Sequence, residues 1–128
     1  MARPPSESLT EREAQIMEVL WREGSASADR IRQELPDAPH DSTVRTLLRI
    51  LEGKGYVKHV VRGKAYVYRP AIRKASAERK AVGSLIKRFF GGSAEALVLR
   101  LIEDEQLTAD QLEQLRKNKT SSNEGGDA

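Results

Sequence analysis

Five side chains within one short stretch are suited to reading a double helix: Ser42, Thr43, Arg45, Thr46 and Arg49. Small hydroxyls hydrogen-bond phosphate oxygens and base edges, and a guanidinium fork matches the O6/N7 pair of guanine. Their neighbours Val44, Leu47, Leu48 and Leu51 follow the i, i+3, i+4, i+7 pattern of a buried helix stripe. At ~100° per residue, Ser42, Thr46 and Arg49 fall on the opposite face, with Thr43 and Arg45 beside them. A major groove admits one helix, and side chains near its N-terminus meet the base edges. An ordinary solvated helix face carries the same residue types, so the surroundings have to decide.

The surroundings are basic. Residues 42–90 hold 13 Lys/Arg against 2 Asp/Glu, net +11, whereas residues 1–41 and 91–128 each come to −4, within an overall charge of +3. A positive middle between acidic ends points to a polyanion lying against that segment. Directly after the helix, two β-rich runs, 56–62 and 65–70, flank Gly63-Lys64, which suits a two-residue type II′ hairpin. In that register Val61 faces Tyr66 and His59 faces Tyr68, so Val57, Val61, Tyr66 and Tyr68 share one face and Lys58, Arg62 and Arg69 the other. Lys58, Arg62 and Lys64 are thus placed to touch a phosphate backbone or minor groove. Lysines that protect a sheet edge are the plainer alternative, and they explain one cation better than a basic face.

The elements that position these groups are legible on both sides. Residues 1–8 read as a flexible arm. Thr10 and Glu13 form a capping box for a helix carrying Ile16, Met17, Val19, Leu20 and Trp21, closed by Gly24. Ser27 caps a second short helix with Ile31 and Leu35, stopped by Pro36. Three helices and a hairpin therefore share a core within residues 9–72. From residue 73 the pattern is helical again. Val82, Leu85, Ile86, Phe89 and Phe90 form one stripe ended by Gly91-Gly92. Leu97, Val98, Leu101 and Ile102 form a second behind the cap Ser93. Leu112 and Leu115 continue a third behind the capping box Thr108/Gln111. Three short helices hold little core of their own. The stripes can bury by docking on the helices and hairpin of the same chain or against a second copy, and the second copy is the expectation because it also gives a small reader two half-sites. Residues 73–118 form this dimerisation region, and 119–128 read as a disordered tail.

Other chemistries find no foothold. The chain has no cysteine, and His40 and His59 have no carboxylate cluster beside them in sequence, so no metal site is expected. Neither a Gly-rich phosphate loop nor a nucleophile with its base is visible, and no cofactor or enzymatic activity is expected. No apolar run approaches the ~20 residues of a membrane span, and no signal peptide is evident, which makes a cytoplasmic location the expectation.

In combination, Leu9-Thr10-Glu11-Arg12-Glu13 with Trp21, Ser27 to Ile31, Ser42 to Leu51 with Gly55-Tyr56-Val57, and Phe89-Phe90-Gly91-Gly92 with Leu97-Val98-Leu99 resemble the penicillinase-repressor family (BlaI/MecI/CopY-like transcriptional regulators) over roughly residues 9–117. The resemblance implies a mainly α fold with a small β-hairpin: a winged helix-turn-helix domain plus a C-terminal three-helix dimerisation domain. It implies a homodimeric repressor on an inverted-repeat DNA operator, with the helix holding Thr43, Arg45 and Thr46 in the major groove and the wing on the backbone. Arg49 and Ile50 depart from the threonine and arginine of some relatives, so the docking carries over and the base preference does not. Some relatives are inactivated when a membrane sensor-protease system triggers cleavage at an Asn-Phe bond; the matching pair here is Arg100-Leu101. The other class of function open to such a fold is a protein-interaction module without sequence-specific DNA binding.

Overall fold

The computed structural model describes residues 8–126, and of residues 120–126 the backbone only. The elements run α1 (Glu11–Glu23), β1 (Ala26–Ser27), α2 (Ala28–Glu34), α3 (Asp41–Gly53), β2 (Val57–Arg62), β3 (Ala65–Pro70), α4 (Lys74–Phe89), α5 (Ala94–Glu103) and α6 (Ala109–Gly126). They divide into two compact units, Met1–Ser84 and Leu85–Ala128.

In the first unit, local chemistry sets each helix boundary. The Thr10 hydroxyl accepts from the Glu13 N–H at 3.1 Å, and the Glu13 carboxylate accepts from the Thr10 N–H at 2.8 Å, completing the capping box. Gly24, at φ 85°, ends α1 in a conformation that a side chain would resist. Ser27 caps α2 by accepting from the Arg30 N–H at 3.1 Å. The hairpin has the expected register, Val61 opposite Tyr66 and His59 opposite Tyr68. Gly63 sits at φ 64° and Lys64 has no positive φ, which fits the type II′ turn. The sheet has a third strand that sequence periodicity does not reveal: β1 pairs antiparallel with β3, giving the order β1-β3-β2.

The core joins α1 (Ile16, Met17, Leu20), α2 (Ile31) and α3 (Val44, Leu48, Leu51) with Tyr56, Val57 and Tyr68 of the hairpin region. Each such side chain removed from water contributes about 1.5–3 kcal/mol before entropy is counted. The Trp21 indole N–H donates to the Ile72 carbonyl at 2.9 Å, tying α1 to the chain just after β3. Ala77, in the first turn of α4, also belongs to this core. The division between the two units falls after Ser84, inside α4.

Glu13 is the single buried charged side chain among the described residues, 2% exposed. Lys54, just past the end of α3, donates to its carboxylate at 2.8 Å and to the Ser8 carbonyl at 3.3 Å. Burial pushes the Glu13 carboxyl up. The Lys54 ammonium and the Thr10 N–H outweigh that and hold it below its ordinary value. The start of α1 and the end of α3 are therefore fixed to each other by charge as well as by packing.

In the second unit, Ser93 caps α5 and the Thr108/Gln111 pair caps α6 reciprocally, at 3.1 and 2.9 Å. None of residues 85–119 is fully buried. The backbone of α6 is helical through Gly126. Once the capping box has nucleated the helix, each added residue costs little, and weak formers such as Ser and Asn can extend it. The expected arm at residues 1–7 and the last two residues of the tail lie outside the described residues. No helix among the described residues is long and apolar enough to cross a membrane.

Candidate nucleic-acid interface

The N-terminus of α3 is held by a histidine. The His40 Nδ1 accepts from the Ser42 N–H at 3.2 Å and lies 2.9 Å from the Ser42 hydroxyl. Accepting through Nδ1 places the neutral ring's proton on Nε2. Nothing in the residue pattern hints at this role, since Ser, Thr, Asp and Asn are the usual caps.

Beyond the cap, Val44, Leu48 and Leu51 are sealed in the core, and Ser42, Thr43, Arg45, Thr46 and Arg49 are all exposed on the other side. All five expected groove residues thus share the open surface of one helix. Arg45 is engaged within it, its Nε donating to Asp41 at 2.8 Å. A guanidinium has five donors, so this bond orients the fork and leaves its terminal nitrogens to recognise something else. Ile50, not singled out as a site residue by sequence, is exposed on the same open surface, one turn after Thr46 and two after Thr43.

The hairpin stands next to this helix. Lys58, Arg62 and Lys64 are exposed, as is Arg69, and the pairing register puts Lys58, Arg62 and Arg69 on one face. Lys64 at the turn and Arg45 on α3 line one cleft of ≈ 350 Å³, together with Ser27 and Asp29 from the start of α2 and Tyr66 and Tyr68 from β3. The helix residue and one of the wing cations are therefore brought together, while Lys58 and Arg62 lie elsewhere on the hairpin. Burial raises the Tyr68 hydroxyl above its ordinary value and the Glu52 carboxylate adds to the rise, against the opposing pull of Arg45 and Arg49. Tyr68 stays a neutral hydrogen-bonding phenol at the floor of the cleft.

A second link, between α3 and the wing, is not readable from spacing. The half-buried His59 ring donates from Nδ1 to the Glu52 carboxylate at 2.8 Å. It also stacks on Tyr66, with ring centroids 4.3 Å apart and planes 10° from parallel. One side chain thus connects the last turns of α3 to both strands of the hairpin.

The residues expected to hold a second copy are distributed as follows. Val82, Leu85, Phe89, Ile102, Leu112 and Leu115 are exposed; Ile86, Phe90, Leu97, Val98 and Leu101 are half-buried. Phe89 is 70% exposed. Arg100 and Leu101 lie inside α5, with Arg100 paired to Glu103 at 3.5 Å and Asp104 at 3.9 Å. No cluster of three or more metal-ligating side chains occurs among the described residues.

Helix, short strand, helix, helix and hairpin, with the first strand completing a three-stranded sheet, define a winged helix-turn-helix unit. The penicillinase repressor family model matches residues 9–120, and the chain belongs to that family. It is 28% identical over 109 residues to the penicillinase repressor of Bacillus licheniformis, covering 84% of this chain and 85% of that one. It is 28% identical over 110 residues to the methicillin resistance regulatory protein MecI of Staphylococcus aureus (strain N315), covering 84% and 89%. Among solved structures, the DNA-binding domain of the repressor BlaI matches 59% of this chain and 92% of its own length, at 27% identity and a TM-score of 0.49.

Proposed function

We propose that this chain is a sequence-specific DNA-binding transcriptional repressor that acts as a homodimer on an inverted-repeat operator. The observation that carries the reading is the surface of α3. Its apolar stripe is fully committed to the core, and its opposite side presents Ser42, Thr43, Arg45, Thr46 and Arg49 to solvent beside a basic hairpin. In the major groove, the Arg45 and Arg49 forks would meet guanine edges and the hydroxyls would meet bases or phosphates. Lys58, Arg62 and Lys64 would neutralise backbone phosphates. One relative is named a penicillinase repressor and the other a methicillin resistance regulatory protein, and the reading has the same sense.

The homodimer rests on the second unit, where apolar side chains from three helices stay open in the single chain. Packing Leu85, Phe89, Ile102, Leu112 and Leu115 against their symmetry mates would bury them and set two copies of α3 one helical turn of DNA apart, ~34–36 Å. A chain of this kind needs no catalytic group, and its work is to occupy DNA.

Capture and sequencing of genomic fragments by the purified chain tests the reading. An inverted-repeat motif with affinity falling steeply in log–log fashion with salt is the expected result. No enriched motif and a shallow salt slope would instead favour a protein-interaction role. Proteolytic inactivation at Arg100-Leu101 by a membrane sensor-protease system would require α5 to unwind around that bond. Limited proteolysis of the DNA-free chain reads this directly.

A further inference from the structure

Ile50 is out of character on the surface of α3. It lies seven residues after Thr43 and four after Thr46, on their side of the helix, and is 42% exposed, while the core stripe of Val44, Leu48 and Leu51 excludes water completely. A lone exposed isoleucine has no significance on an ordinary surface. Here its position gives it one, because every other exposed side chain singled out on this side of α3 can hydrogen-bond. A β-branched hydrocarbon facing base edges can neither donate nor accept. Over a G·C pair it would strip water from polar groups and return nothing. One group on the floor of the major groove matches it, the C5 methyl of thymine.

We infer that Ile50 is a specificity residue that reads a thymine methyl in the operator half-site, the γ-methyls of Thr43 and Thr46 lining the same row. This rests on the reading of α3 as the DNA-contacting helix. Ile50 makes no charge contact with the backbone, so it contributes to base preference and leaves the salt dependence alone. The isoleucine also limits the half-site: the base pair beneath it is T·A in a fixed orientation.

The test uses the full chain and a duplex selected from a random double-stranded library. Each thymine of one half-site is replaced in turn by deoxyuridine, which removes the methyl group and keeps the O4 acceptor. At one thymine the wild-type chain should bind the deoxyuridine duplex roughly fourfold more weakly, the worth of one methyl withdrawn from water. In Ile50→Ala that ratio should fall to one, with an unchanged salt slope and an unchanged melting temperature or a slightly higher one, since alanine is the better helix former. If Ile50→Ala keeps the same sensitivity, or if no deoxyuridine weakens the wild type, the inference is overturned while the repressor reading stands. If the library yields no enriched sequence, both are overturned together.

Discussion

The two compact units spend their apolar residues in opposite ways. The first, with fifteen buried hydrophobic side chains, closes its own core and adds a buried ion pair, an indole bond to a backbone carbonyl and a histidine link between α3 and the wing. The second has no fully buried side chain among residues 85–119 and leaves Phe89, Leu99 and Leu115 more than half exposed. A rigid reader needs each recognition side chain held in place, and this is what a closed core provides. An open apolar helix set is poor at holding a shape by itself and well suited to burying against a copy.

The comparison breaks first if the core of the first unit is not what fixes α3. Leu48→Ala removes a fully buried side chain from the middle of that helix and should cost about 4 kcal/mol in denaturant unfolding. DNA binding would disappear with the fold. A cost below about 1 kcal/mol would mean the site collapses around the gap and the core is looser than it looks.

Next in size is the Glu13–Lys54 pair. Lys54→Met leaves a carboxylate buried with only backbone and hydroxyl partners, and should destabilise by about 3 kcal/mol at neutral pH. The sign of the pH dependence follows from the lowered Glu13 value. Below its folded value both states bind the proton and the pair contributes nothing. The stabilisation grows as pH rises through that value and is complete above the unfolded value of 4.5. Wild-type stability should therefore fall as pH is lowered below the unfolded value of 4.5. In Glu13→Gln this part of the slope should disappear from a series of urea melts.

What the residue pattern reveals and what it hides divide along the same physical line. Caps are local, so Thr10 with Glu13, Ser27, Ser93 and Thr108 with Gln111 are all legible from residues three apart. The hairpin register is legible because Gly63-Lys64 leaves one two-residue turn to build. The order of three helices and a hairpin and the exposed placement of Ser42, Thr43, Arg45, Thr46 and Arg49 follow from hydrophobic periodicity, and the winged-helix reading follows from the family resemblance. Long-range partners are not legible. Lys54 lies forty-one positions from Glu13 and carries no local mark of its role. The two residues of β1 are too few to show alternation, and their pairing with β3 is seen only in space. Ala77 is too small for its burial to stand out from its neighbours, so the hydrophobic pattern does not mark it as part of this core. Burial along the hairpin is only half legible. Val57 and Tyr68 are buried, while Val61 and Tyr66, on the same face, are exposed nearer the turn, beyond the reach of the core.

The second unit is tested by making its surface intolerable to a partner. Phe89→Asp and Leu115→Asp each put a charge in the centre of the proposed dimer contact and should weaken dimerisation by about 2 kcal/mol or more, roughly thirtyfold. Sedimentation equilibrium would then find monomers at concentrations where the wild type is dimeric. The unfolding of the first unit should be unaffected, because neither residue belongs to its core. A variant that stays dimeric would show that these exposed side chains face solvent in the assembly too, and would remove the reason for treating the two units as reader and coupler.

The smallest effects separate kinds of contact within the reader itself. Arg45→Ala should cost about 1–3 kcal/mol on the preferred operator and relax the choice of base at a single position. It should also leave Asp41 unpaired on an exposed first turn, where the helix dipole favours its charge, so stability should barely change. Lys64→Ala should weaken every duplex by a similar, smaller factor and reduce the slope of log affinity against log salt by about 0.9 for each phosphate that the lysine no longer neutralises. Because Arg45 and Lys64 line the same cleft, the double variant matters most. If one meets a base and the other a phosphate without sharing a partner, the two effects should add within about 0.5 kcal/mol. A larger coupling would mean that Arg45 and Lys64 grip one group jointly. The cleft would then be a single phosphate site, and base reading would have to rest on Thr43, Thr46, Arg49 and Ile50.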